Sequence, residues 1–226
     1  MLQTAWSMLS IFDIDGTICD TQDVEGRCYA RAIERVTGMS LATLDWTAYD
    51  EPTSSAIVRQ LLAGDSTARL KEDQIKSEFH RLLQEEQPNF PGDFVAIAGA
   101  IEFLERLSEE KVCDVAIATG CFDITARFKL ECCGIALERF PHATSSDAGG
   151  RKDIIKIAAQ RAGFDLSSVV YFGDAPWDVR ASNALGIPMI GIGRRHEKLR
   201  TFGLRHVFRD YSEPDKIIDA LLELQT

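Results

Sequence analysis

Three short apolar runs in this chain each end on a polar residue beside a glycine. Met8 to Phe12 runs into Asp13-Ile14-Asp15-Gly16, Val112 to Ala118 into Thr119-Gly120, and Ser168 to Phe172 into Gly173-Asp174. A run this short and this largely apolar reads as a strand covered on both faces, because a strand with one wet face would alternate. Helix-like stretches of about a dozen residues separate the later runs, and glycines at 134, 163 and 186 fall where those helices should stop. Strands alternating with helices predict a parallel sheet clothed by helices on both faces, the α/β class. Such sheets bind ligands at the carboxyl ends of their strands, which is where Asp13, Asp15, Thr119 and Asp174 fall.

The remaining elements follow from periodicity. Helices are predicted over Gln22–Thr37, Thr53–Ala63 and Lys71–Gln87, with no strong strand before Pro91. The stretch from Cys19 to Asn89 therefore reads as a small all-helical unit. Ala96 to Glu110 is predicted as an amphipathic helix with Ile97, Ile101, Leu104 and Leu107 on one face. Further helices are expected over Asp123–Cys133, Lys152–Ala162, Trp177–Leu185 and Pro214–Leu224. Short strands are expected at Arg139–Ala143, Ile187–Ile192 and Val207–Phe208.

Composition narrows the function. With 226 residues and a formal net charge of -10, the chain is large enough for a real core and too acidic for a sequence-independent nucleic-acid binder. No apolar run approaches the roughly 20 residues of a membrane span. Met1 to Met8 lacks the basic and apolar regions of a signal peptide. The expectation is a soluble cytoplasmic protein that binds neither nucleic acid nor membrane. The six cysteines, Cys19, Cys28, Cys113, Cys121, Cys132 and Cys133, form no C-x-x-C pair and read as free thiols. Cys121 lies beside an important loop, where a small buried apolar role is the ordinary expectation.

Four features carry chemistry, and each has a plainer reading. Asp13 and Asp15 stand two apart, so both can face one side as the strand ends. Two carboxylates so close repel unless a cation or shared proton intervenes, which suits Mg²⁺; a surface Asx-turn is the plain alternative. Thr119 and Gly120 offer a hydroxyl and free N–H groups to phosphoryl oxygens, or simply a turn. Lys152 opens a helix and could offset charge on an aspartate and a phosphoryl group; Arg151 is adjacent, so either cation can be the one that reaches. Asp174 is placed to complete a metal site, with Asp178 four residues on, or Asp178 serves only its helix N-terminus.

In this order, at these places, the features resemble those of the haloacid dehalogenase-like superfamily of phosphohydrolases. Asp13-Ile14-Asp15-Gly16-Thr17 looks like its first motif, Thr119 its second, Lys152 its third, and Gly173-Asp174 with Asp178 its fourth. The resemblance covers essentially the whole chain and points to the branch of phosphoglycolate phosphatases and beta-phosphoglucomutases. It implies a Rossmann-like core from residues 1–18 and 91–226, with a small all-helical cap, residues 19–90, inserted after the first motif. It further implies a phosphoaspartate on Asp13, with Asp15 as acid and base. Asp13, the Asp15 carbonyl and Asp174 would hold Mg²⁺. Thr119, Gly120 and Lys152 would grip the phosphoryl group, and Asp178 would orient Lys152 or a water. Many relatives carry Lys-Pro at the third motif, whereas Lys152 here lies between Arg151 and Asp153.

The expected substrate is a small phosphorylated metabolite, and the expected state a monomer or homodimer. Arg27, Arg31, Tyr49, Thr53, Ser54 and Arg59 are the cap residues that could read the substrate. A phosphomutase using the same aspartates, or a non-catalytic binder of the same fold, are the competing readings. Asp15 separates chemistries, since an acid here suits phosphate esters. Asp15→Ala should abolish turnover of unactivated phosphate esters, measured as released phosphate; intact turnover would remove Asp15 from the acid–base role.

Overall fold

The computed structural model describes residues 8–194 and 196–224. Met1–Ser7, which bear on the signal-peptide expectation, lie outside the described residues. In chain order the elements are β1 (Leu9–Phe12), α1 (Gln22–Thr37), α2 (Ser54–Leu61), α3 (Ala68–Glu86), α4 (Ala100–Glu109), β2 (Asp114–Ala118), α5 (Asp123–Cys132), β3 (His142–Ala143), α6 (Arg151–Ala162), β4 (Val169–Gly173), α7 (Pro176–Leu185), β5 (Met189–Ile192), α8 (His196–Arg200), β6 (Val207–Phe208) and α9 (Pro214–Glu223).

The strands form one parallel sheet in the order β3-β2-β1-β4-β5-β6. Every strand pairing is parallel, as the apolar runs predict. Register matters most for function. Phe12 lies opposite Ile117 on one side and Phe172 on the other, so β1, β2 and β4 end level. Asp13, Thr119 and Asp174 therefore emerge at one edge of the sheet.

Alternation divides the sheet into two cores. Phe12, Ile117, Val170, Phe172, Ile190 and Ile192 face one side, packed with Phe103, Leu107, Leu130 and Leu221 of the covering helices. Leu9, Ile11, Ala116, Ala118, Val169 and Tyr171 face the other, against Ile154, Ile155, Ala158 and Val179. The strands thus read as continuous apolar runs because helices cover both faces.

The α1–α3 block has a core of its own. Val24, Tyr29, Ile33, Ile57, Val58, Ile75, Phe79 and Leu83 are buried together, and Phe94 and Phe122 join them from beyond the block. The chain enters and leaves by paired extended segments: Asp20 N–H donates to the Val95 carbonyl at 2.8 Å and Ile97 N–H to that of Ile18 at 2.8 Å. This pairing corrects one expectation. Residues 96–99 are not helical, because Ala96 and Ile97 bond across to the outgoing crossing, and α4 begins after Gly99. Gly99 holds φ +77°, and a Cβ there would lie 2.9 Å from the Tyr211 carbonyl oxygen. Helix α8 and the short 3₁₀ turns had no periodic signal to announce them. No helix among the described residues is long and apolar enough to cross a membrane.

Phe12 anchors the first core. It is fully buried, stacked on Phe172 at 4.3 Å between centroids and edge-on to Phe103 at 6.4 Å. Phe12→Ala should lower unfolding free energy by about 3–5 kcal/mol in a urea titration, since β1 cannot move to fill the void.

Candidate active site

Asp13 is the first residue past β1. Its N–H still follows the ladder, donating to the Phe172 carbonyl at 2.9 Å, so the backbone fixes the carboxylate at the sheet edge. The chain then turns sharply, with the N–H groups of Thr17, Ile18 and Cys19 all directed at the Ile14 carbonyl. Gly16 makes the turn possible at φ +82°; a Cβ there would collide with Asp174 and Gln22.

Asp13 is 4% exposed, and its partner is Arg151, whose Nη1 donates to Oδ1 at 2.9 Å. Arg151 opens α6, is 5% exposed, and also stands 3.5 Å from Asp178 through Nε. Burial pushes the Asp13 carboxyl up, and Arg151 opposes that shift. The guanidinium passes over Gly120, where a Cβ would sit 2.9 Å from Nη2. Lys152, expected to supply the cation, instead points to solvent. One residue along a helix turns the side chain by about 100°, so only one of two adjacent cations can face the sheet, and it is Arg151.

Asp174 and Asp178 follow β4. Asp178 is fully buried and accepts from Ala175 N–H at 3.2 Å and Tyr171 O–H at 3.2 Å. It thereby serves its helix N-terminus and Arg151 together. Burial lifts its carboxyl to about 7, against the pull of Arg151. Asp174 accepts from the Gln22 amide through Oδ2, while its Oδ1 is buried with no hydrogen-bond partner. Burial, then Asp178 and Asp13, push the Asp174 carboxyl well above the usual range. Oxygens of Asp13, Asp174 and Asp178 lie within 4.8 Å of one another. Crowded buried carboxylates, one with an orphan oxygen, form a donor set suited to a hard divalent cation.

Asp15 sits apart from this trio. Its carboxylate accepts from Thr21 Oγ1, from Cys121 Sγ at 2.7 Å, and from Lys129 Nζ at 2.7 and 2.6 Å. Burial would raise its carboxyl, but Lys129 and these donors hold it below the ordinary value. Lys129 has no exposed surface and also reaches Glu25 Oε1 at 3.0 Å. Burial first, then Asp15, lift the Glu25 carboxyl to about 7 against Lys129. Sequence reasoning left Arg151 open as the alternative to Lys152, and missed Lys129 and Glu25 altogether. A signal for Lys129 existed: it shares the buried face of α5 with Thr125, Ala126 and Leu130, where a lysine is out of place.

Most of these groups, though not Lys129 or Asp178, line a cavity of about 500 Å³. Asp13, Asp15, Thr119, Arg151 and Asp174 line its base, and Tyr29, Leu44, Trp46 and Trp177 its walls. The Thr119 side chain is buried, with its Oγ1 3.2 Å from Cys121 Sγ, and the Gly120 carbonyl accepts from Ser54 N–H at 2.8 Å. The α1–α3 block is laid onto the edge by backbone contacts. Thr53 Oγ1 donates to the Gly149 carbonyl at 2.6 Å and Ser55 Oγ to that of Ser145 at 2.6 Å, while Glu51 accepts from Arg151 N–H at 3.1 Å. Of the residues expected to read the substrate, Thr53 and Ser54 line the cavity. Arg27, Arg31 and Arg59 are instead engaged with Asp93, Glu86 and Glu72, and Tyr49 with the Thr43 carbonyl. All six cysteines are free; Cys121 is buried as expected, yet bonded to charged groups.

Chemically, a carboxylate beside a guanidinium, a hydroxyl and a cation-ready acid cluster can receive a phosphoryl group and stabilise its charge. Residues 10–192 match the haloacid dehalogenase-like hydrolase family. The chain is 28% identical to a phosphoglycolate phosphatase from Agrobacterium fabrum, over 96% of this chain and 91% of that one. A hydrolase structure from Pseudomonas syringae superposes with a TM-score of 0.74 at 20% identity, covering 97% of this chain and all of that one. CbbY from Rhodobacter sphaeroides in complex with phosphate superposes with a TM-score of 0.70 at 15% identity, covering 92% and 96%. The family resemblance read from the sequence is thus borne out: the chain is an enzyme that belongs to the haloacid dehalogenase-like hydrolase family.

Proposed function

We propose that the protein is a Mg²⁺-dependent phosphatase that hydrolyses a small phosphate monoester through a phosphoaspartate on Asp13. One observation carries the reading. A buried carboxylate at the sheet edge, Asp13, is gripped by Arg151 and crowded by Asp174, whose Oδ1 has no partner. Such an arrangement is costly to bury and useful only when charge arrives to balance it.

In this reading Asp13 attacks phosphorus, splitting one difficult displacement into two easier ones. Arg151 and Thr119 hold the phosphoryl oxygens, with Arg151 in the role first expected of Lys152. Asp15 passes a proton to the leaving oxygen and takes one from water. Asp13, Asp174 and the Asp15 carbonyl would hold Mg²⁺, which supplies charge neutralisation at the phosphoryl group. Asp178 keeps Arg151 aligned. Residues 19–90 act as the cap over a core of 1–18 and 91–226. Their seam against Gly120, Ser145 and Gly149 supports a role in excluding water.

Phosphate release should be measured from p-nitrophenyl phosphate and a panel of esters that includes phosphoglycolate, with Mg²⁺ and with EDTA. Release should require Mg²⁺ and vanish in Asp13→Asn. Conversion of a sugar phosphate without free phosphate would instead mark a mutase. Arg151→Met should cost about 100- to 1,000-fold in kcat, the scale of losing a charge-stabilising donor. Lys152→Met should leave kcat within about twofold, as for a solvated surface change. The reverse ranking would return Lys152 to the site.

A further inference from the structure

Two buried cations serve this site, and the reaction as described uses only Arg151. Lys129 is the other. It stands mid-helix in α5 with no exposed surface. An apolar side chain there would complete the helix face without the desolvation that an ammonium suffers. Burial pulls the Lys129 ammonium toward neutrality, yet Asp15, Cys121 and Glu25 outweigh it and keep the charge. Its Nζ lies 2.7 and 2.6 Å from the two Asp15 oxygens, 2.9 Å from Cys121 Sγ and 3.0 Å from Glu25 Oε1. Among the described residues Lys129 is the one cation bonded to Asp15, as Arg151 is to Asp13. Thr21 and Cys121 add two further donors, so Asp15 is bonded throughout as a proton acceptor.

We propose that Lys129 is a positioning residue for the second half of the reaction: it fixes the Asp15 carboxylate, and ties it to Glu25 of α1, so that Asp15 takes the proton of the attacking water. The proposal rests on the phosphatase reading above. In the first half, an Asp13 oxygen bonds to phosphorus as the bond to the leaving oxygen breaks. In the second, the water oxygen bonds to phosphorus, its proton passes to Asp15 and from there to solvent, and the bond from phosphorus to Asp13 breaks, returning both carboxylates. With p-nitrophenyl phosphate the leaving group departs without needing a proton, so the first half is indifferent to Asp15. Loss of Lys129 leaves Asp15 and Glu25 without their shared cation, held only by Thr21 and Cys121.

Lys129→Met and Lys129→Gln should be compared with wild type on p-nitrophenyl phosphate by stopped flow, with the phosphoenzyme followed by intact mass. Lys129→Met should lower kcat by about 100-fold while kcat/KM stays within about threefold. A burst of about one nitrophenol per enzyme should appear, with phosphoenzyme accumulating. Lys129→Gln, which keeps an N–H donor, should recover part of kcat. Adding Lys129→Met to Asp15→Asn should cost nothing further. Should Lys129→Met not fold, Lys129→Gln carries the same comparison. Equal falls in kcat and kcat/KM without phosphoenzyme, unchanged kinetics, or failure of both variants to fold would overturn the proposal. A wild-type enzyme that releases phosphate from no ester defeats the phosphatase reading, and the proposal with it.

Discussion

Negative charge buried at close quarters must be answered, and this requirement organises the active edge. Asp13, Asp15, Asp174 and Asp178 converge there with almost no exposed surface, and Glu25 joins them. Two buried cations reply, Arg151 from the start of α6 and Lys129 from the middle of α5. Each is matched to its own first-motif acid, and each reaches a second acid beyond it. Removing either would leave a buried carboxylate without its partner, which costs far more than the pair contributes when intact. The charge that remains unanswered gathers on Asp174, where the carboxyl is pushed well upward and one oxygen has no partner. That residue of imbalance is the driving force a cation would exploit.

The sheet sets the geometry, and the helical block completes the enclosure. Level strand ends place the acids and Thr119 together, yet an open edge would leave them in water. The Glu51–Ser55 segment closes one side with bonds to backbone groups of the core and to the Arg151 N–H. These contacts use the polar atoms of Thr53 and Ser55 for docking. Tyr29, Trp46 and Trp177 line the cavity beside this seam. The two antiparallel crossings at 18–20 and 95–97 are the covalent links of this arrangement. Phe122, buried in the helical block but borne by the core, stitches the two together near Cys121.

Much of this was legible in advance, for identifiable reasons. The strands showed because a parallel sheet covered on both faces leaves largely apolar runs, as at Met8–Phe12 and Val169–Phe172. Helix ends showed where glycine takes the left-handed conformation, as at Gly163 and Gly186. The start of α4 did not show. Ile97 keeps helical spacing with Ile101, but its N–H is claimed by Ile18 from 79 residues earlier in the chain. No local window contains that competitor.

The sequence by itself determined the fold class, the family, and the order of acids at the strand ends. Those depend on periodicity and on side-chain type, which are local. Only the tertiary structure decided which cations answer the acids. Arg151 and Lys152 differ by one step, and the direction of that step follows from how α6 lies on the sheet. Lys129 could be marked as out of place on an apolar helix face, but its partners, Asp15 and Glu25, showed only in space. Electrostatic partnership is a matter of distance in space, and a position 114 residues away along the chain carries no mark of it.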